Sequence, residues 1–449
     1  MATFLVFLLL SLSSFCASAE VSWNIDCGST VSSYSDSDGM EWVGDSTLIK
    51  SGKLKSVASS YSSTSNHVWD TLRVFTSGKK NCYSLKAEKG VKVLLQAFFY
   101  YGNYDGKSSP PSFDLELDGN DLLTVETSME LQVSTYIELV YTVQRDYISV
   151  CLVQTQPDQL PFISSLRIKS LPSGMYKALD PKYAMINRAR YAFGSDETIR
   201  YPTDVHGRIW DTIDLPESRY TPVTSEASRI DTSDVADDIP EAVMENAITT
   251  SSSSENATLE FSLPDLPTRP SPAYITMYFT EAAQLDSSQK RSFSIYVDGN
   301  LLESTKGFSP IYGKATQLSI YNVTVSENTI FTFLPTSNST LPPLVSAMEV
   351  YRIVNYTVPS SDPISENPSS SSSKSEPPVN SAISALIFLV LVNFFGGSTL
   401  LHNTTVKEIE SHHSRSNNRR RADDGAKLEQ EATMNDFEVS TCVTRDVFI

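Results

Sequence analysis

Two short stretches decide how this chain folds: FDLELDGN, residues 113–120, and FSIYVDGN, residues 293–300. In the first, Phe113, Leu115 and Leu117 alternate with Asp114, Glu116 and Asp118; in the second, Ile295 and Val297 alternate with Ser294, Tyr296 and Asp298. A period of two marks a strand with one buried face. Each run closes on Asp-Gly-Asn, the chemistry of a tight hairpin turn.

The sequence around them keeps the same register. LLQAF, residues 94–98, corresponds to YITMY, residues 274–278, and LPFISSLRI from Leu160 resembles LPPLVSAMEV from Leu341. Three blocks in one order, about 180 residues apart, describe a duplicated domain rather than a short-repeat solenoid. Alternation also runs through Val91, Val93 and Leu95, and no long segment carries a clean helical period. The expected fold class is therefore all-β: two tandem β-sandwich, jelly-roll-like modules over residues 20–175 and 176–356.

The flanks differ in character. Phe4–Leu12 is apolar except for Ser11 and leads to Ala17-Ser18-Ala19, so residues 1–19 read as a signal peptide. Residues 357–380 are rich in Ser and Pro, including an unbroken run from Ser369 to Ser373, and read as a disordered stalk. Residues 381–401 carry no charge over about the length that a transmembrane helix needs. Arg419-Arg420-Arg421 follows and places the polar tail, residues 402–449, on the cytoplasmic side. A removable lipid-anchor tail is the rival reading, but it should end the chain, and a long polar segment follows here. Four sequons, at Asn256, Asn322, Asn338 and Asn355, agree with a secretory route and a glycoprotein. The expected location is a single-pass membrane protein of the plasma membrane or endoplasmic reticulum, its modules extracellular or lumenal.

Of five cysteines, Cys16 leaves with the signal peptide and Cys442 lies in the tail. Cys27, Cys82 and Cys151 allow one bridge and one odd thiol. Cys27 opens the first module and Cys82 precedes a strand of it, whereas Cys151 sits in the apolar run Tyr147–Val153, where a buried free thiol is common. The expected bridge is Cys27–Cys82.

Several separated motifs now add up to a resemblance. Trp23-Asn24-Ile25-Asp26-Cys27-Gly28, Asn81-Cys82-Tyr83, YYGNYDG with PPSFDLELDGN, Arg200-Tyr201-Pro202-Thr203-Asp204 with Arg208-Ile209-Trp210, and the closing LPPLVSAMEVYRI resemble plant malectin-like ectodomains over about residues 23–355. In that family, tandem malectin modules usually precede leucine-rich repeats, a membrane span and a kinase. This chain departs from the pattern: it shows no leucine-rich repeat and no Gly-rich phosphate loop, and too few residues follow Leu401 for a kinase. The resemblance implies a receptor-like ectodomain without catalytic output of its own.

It also implies a sugar site. In animal malectin, an aromatic pair at a strand end lies in a pocket for a short glucose oligosaccharide. The matching residues are Tyr100 and Tyr101, with Asp158 before the final strand and Tyr61 as a weaker addition. A ring covers the apolar face of a pyranose while a carboxylate takes its hydroxyls. If these tyrosines form such a platform, they must be partly exposed. The competing reading is local: strand-end tyrosines cover the sandwich edge, and Asp158 is a solvated turn residue. The second module reads Thr280-Glu281-Ala282-Ala283-Gln284 at the equivalent place and has no aromatic pair.

Expected partners are thus a glycan or cell-wall carbohydrate or, in the alternative, a peptide ligand or receptor-kinase co-receptor held at the module interface. The formal net charge of -18, from 53 acidic and 35 basic residues, argues against nucleic acid. Catalysis finds no support in motifs: H-E-x-x-H, G-x-S-x-G and Walker patterns are missing. Asp36, Asp38 and Gly39 lack the ligand pattern of a calcium loop and read as a turn. No cofactor and no metal is expected.

Overall fold

The computed structural model describes residues 20–62, 67–131, 133–251, 257–357 and 445–448. The signal peptide, nearly all of the stalk, the span at 381–401 and most of the tail lie outside them, as does Asn256. Among the described residues no helix is long and apolar enough to cross a membrane.

Strands dominate, as the alternation dictates. Both Asp-Gly hairpins form. Ser112–Leu117 pairs with Asn120–Glu126, and Phe293–Val297 with Asn300–Leu301. Asp118 and Gly119 have φ 50° and 88°, Asp298 and Gly299 have φ 49° and 74°. Two successive positive φ values define the primed turn whose twist suits a hairpin, and Asp-Gly adopts them readily.

The duplication extends to topology. One sheet of the first module runs in the order Ser22–Asp26, Ser165–Ser170, Lys92–Phe99, Val133–Thr142; one sheet of the second runs Tyr183–Ala192, Ala347–Asn355, Ser271–Phe279, Thr316–Val325. The opposing sheet of the first module is Lys80–Lys86, Tyr147–Val153, Ser112–Leu117, Asn120–Glu126. Its counterpart is Leu259–Phe261, Phe331–Pro335, Phe293–Val297, Asn300–Leu301. Each pair of sheets closes on its own apolar core, one around Leu95, Phe99 and Leu115, the other around Ile275, Phe279 and Ile295.

The two sandwiches are also fused. Val133–Thr142 and Tyr183–Ala192 pair antiparallel across the junction, Leu139 opposite Ile186 and Tyr141 opposite Ala184. A single sheet therefore passes from one module into the other. A third apolar cluster covers its outer face at the seam, with Leu94 and Val140 from the first module, Leu171, Met175 and Tyr176 from the linker, and Met185, Tyr274 and Tyr351 from the second.

One expectation is corrected here. The disulfide joins Cys82 to Cys151, not Cys27 to Cys82. Cys82 and Cys151 are register partners on adjacent antiparallel strands. Cys27 follows the first strand in the opposite sheet, fully buried and free. Burial pushes its thiol well above the usual range, which makes it unreactive. The apolar run around Cys151 was the misleading cue, since a disulfide is also an apolar group in a core.

Of the sequons, Asn338 and Asn355 are exposed. Asn322 lies in strand Thr316–Val325. The short strand Arg445–Phe448 pairs antiparallel with Val133–Tyr136. A tail held across a bilayer could not reach that edge, so this pairing and a cytoplasmic tail are mutually exclusive.

Candidate functional site at the module junction

FFYYGNYDG behaves differently from a sugar platform. The strand ends at Phe99, as expected, but Tyr100 and Tyr101 are 1% and 0% exposed. The Tyr100 ring tilts against Trp69, centroids 5.5 Å apart, and its hydroxyl donates to the Tyr61 carbonyl at 2.9 Å. Tyr101 packs on Phe162 and Tyr104, and its hydroxyl donates to Asp105 Oδ1 at 2.5 Å. Burial, reinforced by that bond, pushes the Tyr101 hydroxyl up to about 12. Gly102 makes the turn at φ 45°, where a Cβ would lie 2.5 Å from the Val57 side chain. Tyr61 is half-buried beside this cluster. Asp158 is exposed in the turn before Phe162, and among the described residues it hydrogen-bonds none of the three tyrosines. The open platform is therefore corrected to a packed wall: Phe162 and Trp69, far away in sequence, cover the rings.

A cleft opens instead beside Trp69, where the modules meet. The first module contributes Trp42, Trp69 and Arg167, and the second contributes Arg200, Tyr201 and Gly207. It encloses about 110 Å³, below the ~300–1,000 Å³ of clefts that bury a whole small ligand. That is room for one ring or one side chain.

Local chemistry fixes each wall. Asp36 accepts the backbone N–H of Asp38 at 3.0 Å and of Met40 at 2.8 Å, closing the turn expected there. Its other oxygen accepts Trp42 Nε1 at 2.7 Å, which sets the indole. The opposite wall is the stretch Arg200–Trp210. Arg200, Tyr201, Gly207 and Ile209 line the cleft, while Asp204, Arg208 and Trp210 anchor the stretch in the interior. Asp204 Oδ2 accepts Arg208 Nε and Trp210 Nε1, each at 2.8 Å. Arg208 in turn donates to the Asp237 and Asp238 carbonyls at 2.7 and 2.6 Å.

Beneath the cleft lies a buried ionic cluster that crosses the seam. Arg190 of the second module is 0% exposed. Its Nε donates to Glu349 Oε1 at 2.7 Å and its Nη1 to Glu138 Oε2 of the first module at 3.1 Å. Gln96 of the first module donates to Glu138 at 3.0 Å and to the Gly207 carbonyl at 2.8 Å. Tyr278 and Tyr176 donate to Glu349 at 2.7 and 3.0 Å. Burial opposes the Glu349 charge, but Arg190 and Arg208 hold its carboxyl below the usual range, so it is ionised at neutral pH. Through Gln96, the central strand of one module positions the cleft wall supplied by the other.

Sequence reasoning missed this site. In the sequence, Arg200–Trp210 stands out only as a family mark without a role, and Arg167 is one residue of the last-strand block. The discernible signal is density: two arginines, a tyrosine, a tryptophan, an aspartate and a histidine within eleven residues that have no strand alternation.

The malectin-like domain profile matches residues 25–353. An uncharacterized Arabidopsis thaliana protein is 36% identical over 353 residues, covering 78% of this chain and 68% of its own length. A probable leucine-rich repeat receptor-like protein kinase of Arabidopsis thaliana is 33% identical over 344 residues, covering 74% of this chain. The chain spans only 37% of that kinase's length. Among solved structures, the plant receptor-like kinase FER is similar at TM-score 0.60 and 17% identity, covering 75% of this chain and 96% of that one. The ANX1 ectodomain of Arabidopsis thaliana is similar at TM-score 0.59 and 16% identity, covering 74% and 96%. A complex of the plant peptide RALF23 with FER and LLG2 also matches, at TM-score 0.57 and 15% identity, covering 76% and 96%.

Proposed function

Because this chain belongs to the malectin-like domain family, we propose that it is a membrane-anchored, non-catalytic receptor-like protein that recognises a peptide or co-receptor segment in the cleft between its modules. The observation that carries the reading is the cleft itself: its two walls come from different modules and are fixed by bonds that cross the seam. A site of that kind exists only in the tandem arrangement. Its size suits one anchoring side chain, the way a hot-spot pocket takes a peptide residue. The FER complex with peptide RALF23 and LLG2 is a precedent for peptide recognition on this fold. The carbohydrate reading loses support with the burial of Tyr100 and Tyr101.

The test is a random-peptide library and a glycan array of glucans and pectic fragments, both offered to the full-length chain. Peptides are expected to be retained. Arg200→Ala and Tyr201→Ala are expected to weaken retention about tenfold each, roughly 1.4 kcal/mol; Arg200→Ala should leave the melt unchanged, since Arg200 is exposed, whereas Tyr201→Ala should also lower it modestly, since Tyr201 packs against the first core. Glycan binding that both variants leave intact, with no peptide retained, would overturn the reading.

The anchoring part of the proposal places residues 402–449 in the cytoplasm. Protease added to intact cells should leave a C-terminal tag uncut; a cleaved tag would instead favour the pairing of Arg445–Phe448 with the first module.

A further inference from the structure

We infer that the junction cleft reads acidity: the Arg167 guanidinium receives a carboxylate brought by the bound peptide. This rests on the peptide reading above and names the chemistry its ligand must carry.

Arg167 lies on strand Ser165–Ser170, half-buried, and faces the cleft. A guanidinium has five N–H donors and no acceptor. Here its protein hydrogen bond is a long one, Nε to Asn24 Oδ1 at 3.4 Å, and among the described residues Nη1 and Nη2 have no acceptor. Neighbouring acids do not fill the gap, because each is committed elsewhere. Both oxygens of Asp36 hold the Trp42 turn. Glu138 is taken by Arg190, Gln96 and Tyr136. Asp204 is taken by Arg208, Trp210 and the His206 N–H. Asp38 is exposed at the rim and forms no ion pair with Arg167. Burial pushes the Arg167 guanidinium below its ordinary range even with these acids nearby, the mark of a cation whose charge is under-compensated.

The surroundings keep that group clear. Gly207, at φ 78°, packs against Nη2 so closely that a Cβ would stand 2.3 Å from it. Any other residue would displace the guanidinium, and the loop is held at that distance by the Gln96 bond to the Gly207 carbonyl. Trp42, Trp69 and Phe98 supply apolar walls. An arginine fork between apolar walls favours a planar, charged acceptor, and a carboxylate meets it with two parallel hydrogen bonds. The space admits one such side chain or a chain terminus.

The experiment offers the full-length chain three synthetic peptide libraries. One has a fixed Glu and an amidated C-terminus, one has Gln in its place and an amidated C-terminus, and one has Gln with a free C-terminus. Retention of the Glu library, of the free-terminus library or of both, with the neutral library at least tenfold weaker, is expected, and the pattern tells side chain from terminus. Arg167→Gln should erase that preference, Arg167→Lys should restore part of it, and neither should lower the melting temperature. Equal retention of all three libraries, or a preference that survives Arg167→Gln, overturns the acid-reading inference while leaving peptide recognition standing. Retention of an oligogalacturonate with no peptide library retained overturns both.

Discussion

Arg190→Ala will destabilise the folded chain by about 3–5 kcal/mol, the effect of breaking a buried ion pair and stranding its partners. Two carboxylates, Glu138 and Glu349, lose their shared cation, and both are essentially without solvent exposure. The loss will not be confined to one module. Glu138 belongs to the first, Glu349 to the second, and their strands flank Tyr183–Ala192 in one continuous sheet. Arg190→Lys keeps a charge but not the fork that serves both acids, so it should fall between wild type and alanine. Denaturant melts followed by tryptophan fluorescence and by circular dichroism should shift together. A loss below about 1 kcal/mol, in the range of a surface ion pair, would show that the seam is not held in this way.

The second large effect belongs to the residues that looked most like a binding site. Tyr100→Ala should cost about 3–5 kcal/mol, as for other buried aromatics truncated to alanine. Its ring is enclosed by Trp69 and its hydroxyl is bonded to Tyr61. Tyr100→Phe removes only that bond and should cost about 0.5–1.5 kcal/mol. An exposed platform tyrosine would instead change stability by no more than about 0.5 kcal/mol. A thermal melt of the two variants separates the cases.

The comparison of Tyr100 with Arg167 shows where the sequence is legible. Alternation along Phe113–Leu117 and Phe293–Val297 gives each strand an inner and an outer face, and Asp-Gly turns give its end. That suffices for the strands, the hairpins and the duplication, because all of these are local. It does not say which strands are neighbours. The Cys82–Cys151 bridge depends on register between strands 69 residues apart. The Arg190 cluster draws acids from 52 and 159 residues away. Tyr100 is buried because Trp69, on a segment that returns from elsewhere, covers it. In the same way Arg167 becomes a site residue only when the second module brings Gly207 against it. The family resemblance points to a motif position, but the exposure of that position is set by residues the motif does not contain.

The most direct test of recognition at the junction is hydrogen exchange on the full-length chain with and without a peptide selected from the library. Slowed exchange is expected in three separated segments at once: the turn and strand from Asp36 to Gly44, strand Ser165–Ser170, and the stretch from Arg200 to Trp210. Protection confined to the FFYYGNYDG turn, or to the outer edge strand Thr316–Val325, would contradict it.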